Sequence, residues 1–157
     1  KDCFALLDRQ SSEPILDKRN LLRAVVFNYL IGNCDAHAKN FSLLHSDGAL
    51  RLAPFYDLLS TRAYPQLSPK LAMKIGGQIR PDWVVKEHWQ RLADEANVAP
   101  RAVFRICEEL AEKAPAGAQR LVREFIPEYG AEDTLRRILL HIETMSRNAL
   151  DRLRGKE

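Results

Sequence analysis

The sequence predicts a mainly α-helical domain carrying one small β-hairpin. Three features lead there. Residues 12–31 hold an apolar stripe at helical spacing behind a helix-start signal. Residues 41–53 hold two short apolar runs around Asp47-Gly48, a strong hairpin turn. From Asp82 onward, apolar side chains recur at three- and four-residue spacing almost to the end of the chain.

Each element has its own signal. Ser12-Glu13-Pro14 supplies a capping hydroxyl, an acid and a proline for a first helical turn. Leu22, Val25, Val26, Tyr29 and Leu30 then share one helix face. Gly32 and Asn33, residue types that tolerate left-handed backbone, end that helix. The hairpin strands are expected over 41–45 and 49–53, and residues 60–70 (STRAYPQLSPK) read as loop. Residues 71–75 alternate as a short strand would, closed by Gly76-Gly77. Asp82 is placed to cap a helix containing Val85, Trp89, Leu92 and Ala96. Pro100 and Pro115 are each expected to open a further helix, with Pro127 and Gly130 breaking the second. A last helix is expected from about residue 131 to 153. No repeat or low-complexity segment is present.

Composition narrows the function classes. A chain of 157 residues makes about one domain and can bury a core without disulfide or metal. No apolar run approaches a membrane span, and no stretch resembles a signal peptide. Cys3, Cys34 and Cys107 are too few and too irregular for a disulfide framework, which points to a cytoplasmic setting. The net charge of +3 is mild, and the basic residues beyond position 100 alternate with acids. That pattern fits solvated helix faces, so no direct nucleic-acid contact is expected. The first residue is Lys1, which reads as a chain cut from something longer.

One segment gathers the chemistry. Residues 32–42 (GNCDAHAKNFS) hold Asp35, His37, Lys39 and Asn40 directly after the apolar helix. Asp35 and Asn40 form D-x-x-x-x-N, the spacing of a protein-kinase catalytic loop. A carboxylate there accepts the proton of an attacking hydroxyl, and an amide on the same tight loop turns back to hold a divalent cation. Such a site needs a second metal-holding carboxylate, and Asp57 stands just past the hairpin. Mg²⁺ takes oxygen ligands and completes its shell with water and phosphate. Lys39 is placed to offset phosphoryl charge. Plainer readings exist for each residue. D-x-x-x-x-N also arises from turns and caps, Asp57 could cap a helix, and His37 could be an ordinary hydrogen-bonded histidine. Cys34 and His37 lack the companions a zinc site needs. Trp83 and Trp89 read as packing residues.

The motifs themselves are more specific than their spacing. Residues 27–42 (FNYLIGNCDAHAKNFS) resemble the catalytic-loop segment of HipA-type serine/threonine kinases, the toxins of bacterial toxin–antitoxin systems. Residues 52–60 (LAPFYDLLS) resemble that family's metal-binding motif, and residues 71–77 (LAMKIGG) the segment that follows it. The resemblance implies a protein-kinase-like fold of which residues 1–157 are the C-terminal, helical lobe. The catalytic loop and metal-binding hairpin would span 32–60 and the helical body 82–155. Asp35 matches the catalytic aspartate, and Asn40 and Asp57 match the Mg²⁺ ligands. His37, Lys39 and Tyr56 fall where the family lines the ATP site. The implied partners are a protein substrate, in this family an aminoacyl-tRNA synthetase, a HipB-like DNA-binding antitoxin, and an N-terminal kinase lobe. No Gly-rich phosphate loop or Lys–Glu pair precedes the catalytic loop, so these residues alone are expected to transfer little phosphate. Two other readings stay open. Asp35, His37 and Asn40 also fit the Asp-x-His-x-x-Asn loop of aminoglycoside-phosphotransferase-like enzymes, and the chain could be a non-catalytic antitoxin-binding module.

Overall fold

A computed structural model describes residues 1–155. Helix α1 spans Asp2–Gln10 and α2 Pro14–Ile31; strands β1 (Leu43–Ser46) and β2 (Ala49–Leu52) follow. Then come α3 (Lys86–Glu95), α4 (Pro100–Tyr129) and α5 (Glu132–Leu153). The fold is mainly helical with one antiparallel hairpin, as the sequence predicts.

Helix α2 is the centre. It packs against α1, α4, α5 and β2. That environment buries Leu21, Leu22, Ala24, Val26, Tyr29, Leu30 and Ile31, more than the single apolar stripe its spacing suggests. A helix enclosed by neighbours is apolar around most of its circumference. Tyr29 meets Trp89 of α3 edge to face, ring centroids 5.1 Å apart. Trp83 does not join this core. It is exposed, with the Arg80 guanidinium 4.5 Å from its ring centroid.

The hairpin pairs Leu43 with Leu52 and Ser46 with Ala49, so Asp47-Gly48 is a two-residue turn. Both turn residues have positive φ (51° and 77°), the demand that Asp-Gly meets in such turns.

Other expectations change. Residues 2–10 form a helix that the sequence reading omits; it offers only Phe4 and Leu7 to the core, too short a pattern to stand out. Ser12 does not cap α2: its Oγ accepts the Leu50 N–H at 2.9 Å and ties the helix entry to β2. Residues 71–75 form no strand; they make one isolated bridge, Ile75 to Gln78, around Gly76-Gly77. Asp82 lies in a 3-10 turn, Pro81–Trp83, and α3 starts later at Lys86. There, His88 Nδ1 accepts the Val85 N–H in place of a carboxylate cap.

The largest change is α4, one helix of 30 residues with Pro115 and Pro127 inside it. An interior proline removes a helical hydrogen bond and costs ~3 kcal/mol or more. The helix continues through both prolines while packing against α5 and α2.

A buried carboxylate attaches the hairpin to the helices. Asp17, on the first turns of α2, is 1% exposed. It accepts hydrogen bonds from Ser11 Oγ (2.6 Å), the Leu52 N–H (2.8 Å) and Arg51 Nη2 (3.0 Å). Burial pushes this carboxyl up, but the bonds from Arg51, Ser11 and Leu52 more than offset that and hold it below its ordinary range. Asp17→Ala should cost about 1–3 kcal/mol of stability in denaturant unfolding, because it leaves the Ser11 hydroxyl and the Leu52 N–H without their acceptor and Arg51 with Glu13 alone. Asp17→Asn, which keeps an acceptor, should cost less.

Candidate active site

The loop carrying Asp35 begins where α2 ends. Gly32 takes left-handed backbone (φ 74°, ψ 34°) and reverses the chain. Its carbonyl accepts the Thr61 hydroxyl at 3.0 Å and the Arg62 N–H at 3.1 Å. The same Thr61 oxygen accepts the Cys34 N–H at 2.9 Å, and the Cys34 carbonyl accepts the Ala72 N–H at 2.8 Å. The loop is thus held from both sides by residues that follow the hairpin. Burial pushes the Cys34 thiol up, away from thiolate chemistry.

Beyond Cys34 the chain tightens. The Asp35 carbonyl accepts the His37 N–H at 2.8 Å, and the His37 carbonyl accepts the Asn40 N–H at 3.0 Å. The resulting 3-10 turn, Ala38–Asn40, exposes Asp35, His37 and Lys39 while burying Asn40.

Asn40 and Asp57 meet. The Asn40 Nδ2 donates to Asp57 Oδ2, and the Asn40 Oδ1 is buried with no hydrogen-bond partner. A buried amide oxygen without a donor is costly, of order 1–3 kcal/mol, unless something else satisfies it. Asp57 itself has φ 56°, a left-handed conformation that costs a non-glycine residue about 1–3 kcal/mol and clusters at functional sites. An unsatisfied oxygen beside a carboxylate is a donor set that fits a hard divalent cation. Among the described residues no cluster of three His, Cys, Asp or Glu could hold a metal, so water and phosphate would supply the remaining ligands.

The other expected site residues divide. Tyr56 Oη donates to the Lys39 carbonyl and shares a hydrogen bond with Ser42 Oγ, both at 2.9 Å, so its hydroxyl stitches the hairpin to the loop. The side chains of His37 and Lys39 are exposed and make no hydrogen bond or ion pair among the described residues. Asp35 touches neither Asn40 nor Asp57 through a hydrogen bond; it lines a cleft of about 490 Å³ with Thr61, Leu67, Ser68 and Lys70. A second cleft, about 340 Å³, opens among Leu6, Leu7, Ala38, Phe41, Leu43 and Leu52.

Residues 1–118 match the family model of the HipA-like C-terminal domain. The chain belongs to this family. Among its relatives, "Putative kinase Y4mE" of Sinorhizobium fredii is 44% identical over 79% of this chain and 30% of its own length. The serine/threonine-protein kinase toxin HipA of Shewanella oneidensis is 26% identical over 69% of this chain and 25% of its own. The chain therefore spans under a third of the length of these relatives. A chain of the solved complex of Shewanella oneidensis HipA, HipB and operator DNA has the same fold, with a TM-score of 0.88 at 21% identity. That likeness covers 98% of this chain and 36% of the other.

Three residues around the loop of this HipA-like domain are given no site role by the sequence. Asn33 reads as a helix-ending residue, Thr61 as loop, and His141 as one position on an amphipathic helix. Only the tertiary structure brings them together. His141 of α5 lies against Gly32: a Cβ built on Gly32 would stand 2.4 Å from His141 Nε2 and 2.9 Å from Arg62 Cβ. Burial, with Arg62 nearby, holds the His141 imidazole down to about 4, and its Nε2 has no partner.

Two outcomes follow. Gly32→Ala combines left-handed strain with overpacking and should cost roughly 2–4 kcal/mol, read by denaturant unfolding. His141 stays neutral in the fold down to about pH 4, whereas the unfolded chain takes up that proton near pH 6.5. Stability should therefore fall as pH drops from 6.5 towards 4 and be unaffected by this group above 6.5. Melting temperatures across that range should fall less steeply in His141→Gln.

Proposed function

We propose that this chain is the helical lobe of a HipA-like serine/threonine protein kinase that moves the γ-phosphoryl group of ATP to a protein hydroxyl. The observation that carries the reading is the Asn40 amide oxygen, buried and partnerless beside the Asp57 carboxylate. Membership of the HipA-like family and the kinase names of its relatives support it.

In this reading the acceptor hydroxyl enters from the cleft that Asp35 lines. Its oxygen attacks the γ-phosphorus, the bond to the β–γ bridging oxygen breaks, ADP leaves, and the hydroxyl proton passes to the Asp35 carboxylate. Asn40 Oδ1 and the Asp57 carboxylate would hold Mg²⁺, which when bound neutralises charge on the phosphate oxygens. The exposed Lys39 ammonium and His37 imidazole stand free to meet phosphate. The apolar cleft between α1 and the hairpin has the size and lining for a planar base.

The protein target is a Ser or Thr on a polypeptide, with aminoacyl-tRNA synthetases the first class to screen. The assigned partners are an N-terminal lobe that completes the nucleotide site and a HipB-like antitoxin. The antitoxin rests on a relative named as a HipA toxin and a fold neighbour solved with HipB.

The test is transfer of label from γ-labelled ATP by the full-length gene product, offered protein and aminoglycoside acceptors in parallel. Asp35→Asn should lower the rate by about 10²–10⁴-fold without moving the melting temperature. An unchanged rate would remove Asp35 from its role. Label appearing only on aminoglycosides would replace the protein substrate with a small molecule.

A further inference from the structure

Asn33 is 2% exposed and sits between the two halves of the site. Its amide does three things at once. The Nδ2 group donates to the Asp57 carbonyl at 3.0 Å and to Asn28 Oδ1 at 2.9 Å. The Oδ1 accepts the Asp35 N–H at 3.1 Å. One planar group therefore bonds the backbone of both Asp35 and Asp57, and Asn28 of α2 fixes which way that group faces.

We propose that Asn33 is a positioning residue for phosphoryl transfer, coupling the proton-accepting loop to the metal-holding aspartate. This rests on the kinase reading above. Asp35 and Asp57 make no direct bond to each other, and they come from segments on opposite sides of the hairpin. Asp57 holds a left-handed backbone, which strains a non-glycine residue and persists where its surroundings hold it. Asn33 binds the carbonyl of that residue, so it clamps the strained peptide at its own C=O. The clamp is rooted in the buried C-terminal end of α2. Outer partners that orient ligating groups typically change metal affinity or activity by roughly 10–100-fold when removed.

Asparagine is required by this arrangement. Aspartate at the same position could still accept the Asp35 N–H, but it has no donor for the Asp57 carbonyl and would set two oxygens against each other. Alanine loses both bonds. The two substitutions therefore separate the two halves of the role.

The experiment uses the full-length gene product and measures kcat, the Mg²⁺ concentration for half-activation, Mn²⁺ affinity by electron paramagnetic resonance, and melting temperature. In Asn33→Ala the half-activating Mg²⁺ concentration should rise about tenfold or more and Mn²⁺ affinity fall by a similar factor, with kcat also reduced. Asn33→Asp should match that loss of metal affinity yet keep more of kcat at saturating Mg²⁺. A folded Asn33→Ala protein within twofold of wild type in metal affinity and kcat overturns the proposal. If Asn33→Ala does not fold, the aspartate variant decides: unchanged metal affinity there overturns it equally. A wild-type protein that binds Mn²⁺ but transfers no phosphate ends the kinase reading, and the coupling is then judged on Mn²⁺ affinity alone. A wild-type protein that binds no Mn²⁺ ends both.

Discussion

The site exists because a buried helix ends in a glycine that faces another helix. At Gly32 the chain leaves α2 in a left-handed turn, with His141 of α5 occupying the space a side chain would need. This contact fixes where the following loop starts and in which direction it leaves. Backbone groups released at a buried helix end must find partners. Here they find Thr61 and Arg62, from the far side of the hairpin, so the loop and the segment after Asp57 are held together by the same hydrogen bonds. Helix termination and the placement of the Asp35 loop are one problem solved once.

The hairpin is the second link. Asn40 precedes it and Asp57 follows it, so its register determines whether the two side chains meet. A two-residue Asp-Gly turn fixes that register, and Asp17 then fixes the hairpin to α2 through Arg51 and the Leu52 N–H. The chain of dependence runs from the buried Asp17 carboxylate, through strand pairing, to the meeting of Asn40 and Asp57. Rigid elements thereby aim groups carried on short loops, the usual division between scaffold and function.

Several elements were legible before any coordinates. The amphipathic spacing of 14–31, the Asp-Gly turn and the last helix are local patterns, and each formed where the spacing placed it. Prolines misled. Pro115 has the signature of a helix start but lies within α4, a helix whose buried residues come before it and which packs against α5 and α2. The run at 71–75 alternates like a strand yet has no second strand to pair with beyond one bridge. Alternation describes a chain's readiness to pair; a partner must still be present.

The same division holds at the site. Sequence determined the identities of Asp35, Asn40 and Asp57, and the turn between the last two, because spacing and turn chemistry act over a few residues. It did not reveal Asn33, Thr61 or His141, whose side chains matter only through what lies across the fold from them. Nor did it show that the Tyr56 hydroxyl is spent on the Lys39 carbonyl, or that Asn40 keeps one oxygen buried and unsatisfied. Hydrogen-bond satisfaction is a property of three-dimensional neighbours, and these come from residues far apart in the chain, so only the tertiary structure could decide it.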